Sequence, residues 1–162
     1  MRSTDKVLIG IVVSVVVLAG GAFAVMLLRP EQTYQGTDTP EGVAFNYFLA
    51  LQREEYSRAY GYLSPYLLGY PASEARFERE VMDNYLFEAI SESSFTIAPA
   101  EVKGIGATVE VREARFYGGG LFESGQYITT FEMELALVGG EWKIRDSEDY
   151  FRSCWNRLEG CP

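Results

Sequence analysis

Histidine is missing from this chain, and cysteine occurs only twice. The first absence removes the Ser-His-Asp triad, the usual imidazole acid–base catalyst and most zinc sites together. The second leaves Cys154 and Cys161 with no third thiol and no imidazole, a poor set for a metal, so neither a metal nor another cofactor is expected. Basic residues are also few: 14 Lys and Arg stand against 23 Asp and Glu, a formal net charge of −9. No basic patch is available to neutralise phosphates, which excludes nucleic acid as a partner; scattered acidity of this kind makes a soluble surface.

Charge itself is absent from Val7 to Leu28, a run of 22 residues. A helix of that length rises about 33 Å, enough for a hydrocarbon core of about 30 Å. Arg2 and Lys6 precede the run, and Arg29 with Pro30 closes it. A short basic N-terminus, one apolar segment and then a folded domain read as a signal anchor in the cell membrane. Residues 1–6 then lie in the cytoplasm, 7–28 span the membrane, and the rest is outside the cytoplasm. The alternative is secretion after cleavage near Ala24, because Ala22-Phe23-Ala24 fits a small-x-small site. Apolar residues continuing through Val25, Met26, Leu27 and Leu28 suit a spanning helix better.

From Pro30 onward 133 residues remain, enough for one domain with its own core. Residues 29–38 are polar and read as a tether, and 39–162 as the domain. Thr39-Pro40-Glu41 gives a helix start: Thr caps, Pro suits the first helical position, and Glu favours the positive end of the helix dipole. Val43, Ala44, Tyr47, Phe48 and Leu51 follow as an apolar stripe. Glu54-Glu55 makes an acidic bend into a second helix, with Tyr56, Ala59, Tyr60 and Leu63 at the same spacing, ended by Ser64-Pro65. A third helix runs from about Ser73 to Met82 or slightly beyond, with Phe77, Val81 and Tyr85 along one face.

From Ser94 the period becomes two, and the rest reads as antiparallel sheet. Phe95, Ile97 and Val102 are assigned to one strand. Ala107 to Tyr117 alternates Val109 and Val111 with Glu110 and Arg112, and Gly118-Gly119-Gly120 reads as a turn. Tyr127, Thr129, Phe131, Met133, Leu135 and Leu137 alternate with mostly polar neighbours in the clearest strand. Gly139-Gly140 is a two-residue turn into Glu141-Trp142-Lys143-Ile144-Arg145. In an exported domain Cys154 and Cys161 are expected to be bonded, a link worth about 2.5 kcal/mol for a ring of this size. The tail around them carries Tyr150, Phe151, Trp155 and Leu158, either a cover for the sheet or a docking surface.

Helices first and a meander of strands afterwards argue an α+β fold, with helices gathered on one face of a bent sheet. The stretch "TPEGVAFNYFLALQREEYSRAYGYLS", Thr39 to Ser64, resembles the opening helical hairpin of small bacterial domains in the nuclear transport factor 2-like superfamily. The closing "ELALVGGEWKIRD", Glu134 to Asp146, is similar to the last hairpin of that family. The resemblance covers roughly residues 39 to 150. It implies a cone-shaped domain of three helices packed on a curved antiparallel sheet, with a pocket at the open end. Catalytic relatives resembling ketosteroid isomerase use an acidic base and hydrogen-bond donors in that pocket, but no Asp here aligns to the role.

Eleven Tyr and ten Phe are many for this length. Tyr47, Tyr85, Tyr127 and Phe131 are candidates to line a pocket for an apolar ligand, against the plainer reading that they are core. Asp83, ending the third helix, is a candidate general base against a solvated carboxylate. Asp146, Glu148 and Asp149 are a candidate calcium cluster against a charged turn, and their spacing matches no calcium loop. No catalytic residue is assigned. The expected function is a membrane-anchored, non-enzymatic domain that binds a small apolar ligand or a protein partner at the cell envelope. An isomerase or dehydratase using a carboxylate in the cone, and a scaffold subunit of a cell-wall or secretion assembly, are the alternatives.

Overall fold

The computed structural model describes residues 3–27, 32–120 and 123–161, in two compact units, Met1–Thr33 and Tyr34–Pro162. The first is a single helix, α1, Ser3–Leu27. It occupies the place of the expected span, of which Leu28 lies outside the described residues. Its side chains are described from Ile9 to Phe23, and every one is exposed. Among the described residues no helix is long and apolar enough to cross a membrane.

The second unit begins at Tyr34, so the expected tether over 29–38 is shorter than its composition suggests. Arg29, Pro30 and Glu31 lie outside the described residues. The Tyr34 ring has the Arg58 guanidinium 4.1 Å from its centroid and that of Arg53 at 5.3 Å, a cation–π pair of contacts. Gln35 is held twice by the buried Asn46 side chain, which accepts from Gln35 N at 2.7 Å and donates to Gln35 O at 2.9 Å. Polar residues that read as a linker are here the first strap of the domain.

Helix α2, Pro40–Gln52, starts as the sequence directs: Thr39 Oγ1 accepts from Gly42 N at 3.1 Å, and Pro40 occupies the first turn. It is buried on nearly every side, not along a single stripe, because the sheet packs one flank while the strap and α3 cover others. Gly42 permits the strap's approach, since a methyl there would collide with Gly36 O. Helix α3, Tyr56–Tyr62, follows the acidic bend, where Glu54 turns the chain at φ 58°. Helix α4, Glu74–Met82, is capped by Ser73 Oγ accepting from Arg76 N, and buries Phe77, Glu80 and Val81.

Among the described residues five strands form one antiparallel sheet: β1 Ser93–Ile97, β2 Glu101–Lys103, β3 Gly106–Gly120, β4 Glu123–Val138 and β5 Glu141–Ser147. Their order is β1-β3-β4-β5, with β2 sharing β3's outer edge with β1. The single strand expected across Phe95 and Val102 is thus two. Pro99 has no N–H to give, and the next amide, Ala100 N, leaves the ladder to donate to Glu41 Oε1 at 2.7 Å. The expected turn at Gly118-Gly119-Gly120 is also corrected: Gly118 pairs with Ser124 and Gly120 with Glu123, with a register shift between them. Gly139 and Gly140, at φ 61° and 88°, make the turn predicted for the last hairpin. Arg145 is an extra residue between the Leu135–Ile144 and Glu134–Asp146 pairs, a bulge that bends the sheet.

Phe95, Val109, Val111, Phe131, Met133, Leu135 and Ile144 line the inner face against α2. Helices on one face of a bent antiparallel sheet are the α+β arrangement expected.

Candidate functional site

The interior under the sheet is closed by the C-terminal tail. Tyr150 takes φ 54°, a left-handed conformation that costs an L-residue about 1–2 kcal/mol. That turn sends its ring inward, where it meets Phe48, Phe87, Phe95 and Phe131 with centroids 5.3 to 6.1 Å away. Tyr47 Oη donates to Tyr150 O at 2.8 Å and holds the turn. Burial raises the Tyr47 phenol well above its ordinary range and does the same for Tyr150, so both are neutral donors.

Beneath Tyr150 lies Glu113, a carboxylate with 1% of its surface exposed. It points inward because β3 alternates: Val109, Val111 and Glu113 share one face. Tyr150 Oη and Ser93 Oγ both donate to its Oε1, and Arg115 grips it in a fork, Nε to Oε1 at 2.6 Å and Nη2 to Oε2 at 3.2 Å. Arg115 Nη2 also donates to Tyr150 Oη at 3.0 Å, closing the network. Burial alone would raise the Glu113 pKa, but the three donors and the Arg115 charge together hold it below the ordinary carboxylate value. A general base needs a pKa near the working pH and space for a substrate proton within reach. Glu113 has neither: it is held ionised, and rings fill the space above it. The cluster is a strut that fixes the tail inside the domain.

A second buried carboxylate, Glu80 on α4, serves the same tail further on. It accepts from Trp155 Nε1 at 2.6 Å and from Arg76 Nε, while its backbone oxygen accepts from Arg152 at 3.0 Å. Cys154 and Cys161 are bonded, with Cα atoms 5.0 Å apart, and Arg76 Nη2 donates to Cys161 O at 2.6 Å. Gly69 N donates to Trp155 O at 2.9 Å, and a side chain at Gly69 would strike the backbone at Cys154 and Arg157. Tyr150, Phe151 and Trp155 are therefore cover for the fold, while Leu158 is exposed.

The four candidate pocket residues are not brought together. Tyr47 and Phe131 are core, whereas Tyr85 and Tyr127 lie on the surface, 77% and 62% exposed. Tyr85 falls in a short 3-10 turn after α4, and Tyr127 in the part of β4 beyond the reach of β5. Asp83 caps the end of α4 and is exposed. Asp146, Glu148 and Asp149 each take a backbone amide, from Ser147, Glu132 and Tyr150 respectively. Among the described residues no group of three or more acidic or thiol side chains converges as a metal site. Glu113 and Glu80 escaped the sequence reading, although the parity of Glu113 with Val109 and Val111 carried the signal.

Outside the filled interior a groove of about 590 Å³ opens where the two sheet turns meet the loop after α3. Tyr66, Leu67, Ile105 and Leu137 form its apolar wall, and Arg145, Asp146 and Asn156 give it polar points. Tyr66 and Ile105 are 78% and 72% exposed. Its volume falls within the range of ligand-binding concavities, and its lining is about as polar as it is apolar.

No family model and no curated protein matches the chain by sequence. Solved structures similar to it include a SEC-C motif containing protein from Rhodopseudomonas palustris, at 15% identity and TM-score 0.46, over 72% of this chain and 83% of the other. An NTF2-like protein with a cystatin-like fold from Novosphingobium aromaticivorans is similar at 12% identity and TM-score 0.47, over 73% and 84%. A candidate dehydratase of the NTF2-like family from Streptomyces avermitilis is similar at 15% identity and TM-score 0.45, over 68% and 93%.

Proposed function

We propose that this chain is a non-enzymatic, membrane-anchored domain of the cell envelope that binds an apolar ligand or an apolar segment of a protein partner in the Leu137–Tyr66 groove. The filled interior carries this reading. In it the Glu113 carboxylate is engaged by Ser93, Arg115 and Tyr150, leaving no free base and no room for a substrate beside it. An isomerase or dehydratase working in a cone needs both. The uncharged run Val7–Leu28 and the exposed apolar side chains along α1 support the anchor, because such a surface is stable only when something apolar covers it.

Two measurements test the reading. In intact cells, external protease removes an epitope fused after Pro162 if the domain faces outward; a protected epitope overturns the orientation. A photo-crosslinking p-benzoylphenylalanine at Tyr66 gives a discrete adduct in cells, while the same group at Arg112, on the outer face of the sheet, does not. Equal labelling from both positions removes the groove from the proposal.

A further inference from the structure

The edge of β4 is covered unevenly. Beside Met133 to Val138 lies β5, and Glu148 N donates to Glu132 O at 3.1 Å while Glu132 N donates to Glu148 Oε2 at 3.0 Å. Beyond Glu132 toward the hairpin tip, no described strand pairs with this edge. The Glu132 backbone groups face the β5 side, so by the two-residue period those of Thr130, Ile128 and Gln126 face the same open side. β4 meanwhile pairs with β3 on its other side as far as Glu123.

Strands left open in this way are ordinarily guarded by a charge, a proline or a bulge. Here Glu132 and Glu134 sit where the edge is already covered and Glu123 stands at the hairpin end of the strand, and the open stretch between them, Gly125-Gln126-Tyr127-Ile128-Thr129-Thr130-Phe131, has no charge. It also lacks proline, and the register shifts of β4 lie outside it, opposite Gly118–Gly120 and at Glu134–Leu135. Tyr127 and Ile128, 62% and 53% exposed, stand on this unguarded stretch.

We propose that this edge pairs with the same edge of a second copy of the chain, antiparallel, about a two-fold axis at Ile128. In that register Ile128 faces its own counterpart, Tyr127 faces Thr129, Gln126 faces Thr130 and Gly125 faces Phe131. The edge-facing amides of Gln126, Ile128 and Thr130 then donate to the carbonyls of Thr130, Ile128 and Gln126 on the other copy, and the reverse. Aromatic with β-branched partners are favourable cross-strand pairs, and in this register no carboxylate meets a carboxylate. The proposal is independent of the groove and of the anchor.

The test is the mass of the full chain in detergent micelles by light scattering, with detergent mass subtracted. Wild type is expected at twice the mass of one chain. Ile128→Pro removes an N–H that faces the open edge, not β3, and is expected at the mass of one chain with its near-ultraviolet circular dichroism kept. If that variant loses its fold, the exposed pair Ile128→Lys and Ile128→Glu carries the test: each alone at one chain's mass, their equal mixture at two. A single-chain mass for wild type overturns the proposal. So does a doubled mass in all variants, which places the contact elsewhere, for instance on α1. A wild-type chain that instead holds one copy of a different polypeptide, lost in Ile128→Pro, also overturns it by giving the edge to another partner.

Discussion

The phenol of Tyr150 donates a hydrogen bond to the Glu113 carboxylate inside the domain, joining the tail to the middle of β3 across 37 residues of sequence. An aromatic ring, a buried charge and a left-handed backbone turn are concentrated at this one point, and the consequences are measurable.

Tyr150→Phe keeps the ring contacts and deletes the hydroxyl. A bond to a charged group contributes about 1.5–3 kcal/mol, and here its loss also takes one donor from Glu113. A destabilisation of that order is expected in urea unfolding followed by fluorescence of Trp142 and Trp155. An unchanged midpoint shows that the network is idle.

Stability should fall with acid through Glu113. Its folded pKa lies below the ordinary value of 4.5, so its contribution is complete above that value and is lost as pH falls through the lower, folded one. Asp149 opposes this slope: burial raises its pKa, so the folded state binds its proton more readily than the unfolded chain does. Comparing wild type with Glu113→Gln isolates the first effect. The variant is less stable at pH 7, and the gap narrows below about pH 4. A gap independent of pH removes the charge from the explanation.

Reducing the Cys154–Cys161 bond frees a short ring, for which the loop-entropy model gives a loss of about 2.5 kcal/mol. Trp155 is the reporter, because it is buried and bonded to Glu80 when the tail is docked. Its emission is expected to move to the red at lower urea concentration after reduction, and trypsin to cut sooner at Arg157. Identical profiles with and without reductant would show that Glu80, Arg76 and Gly69 hold the tail unaided.

Asn46→Ala removes both bonds to the backbone of Gln35 and leaves a small void in α2. A cost of about 1–3 kcal/mol is expected, with faster amide exchange at Gln35 and little change in the sheet. Exchange rising throughout β3 and β4 as well would mean that Asn46 supports the core generally.

Local chemistry made most of the fold legible. Thr39-Pro40 and Ser73 announced helix starts, Gly139-Gly140 announced a turn, and alternation through Met133 and Leu135 announced a strand, since each depends on neighbours in sequence. What stayed hidden depends on distant partners. Glu113 looks like a surface residue until Ser93 and Tyr150 arrive from other parts of the chain. Tyr85 and Tyr127 looked apolar enough for a pocket, yet each lies where no second layer covers it. The glycines at 118–120 read as a turn because glycine favours turns, but pairing with Ser124 and Glu123 carries the strand through them.

The paired bonds between Asn46 and Gln35, with Gly42 seated against Gly36, also set how the domain takes mechanical load. A pull along the chain from the N-terminal side is felt at Tyr34, against Arg58 and Arg53, and at Gln35, whose bonds pass it through Asn46 into α2, a helix buried on nearly every side. The tail meets that helix through the bond from Tyr47 Oη to Tyr150 O and is held elsewhere by the carboxylates of Glu113 and Glu80. Tension on the front of the chain is delivered to the core before it reaches the cover.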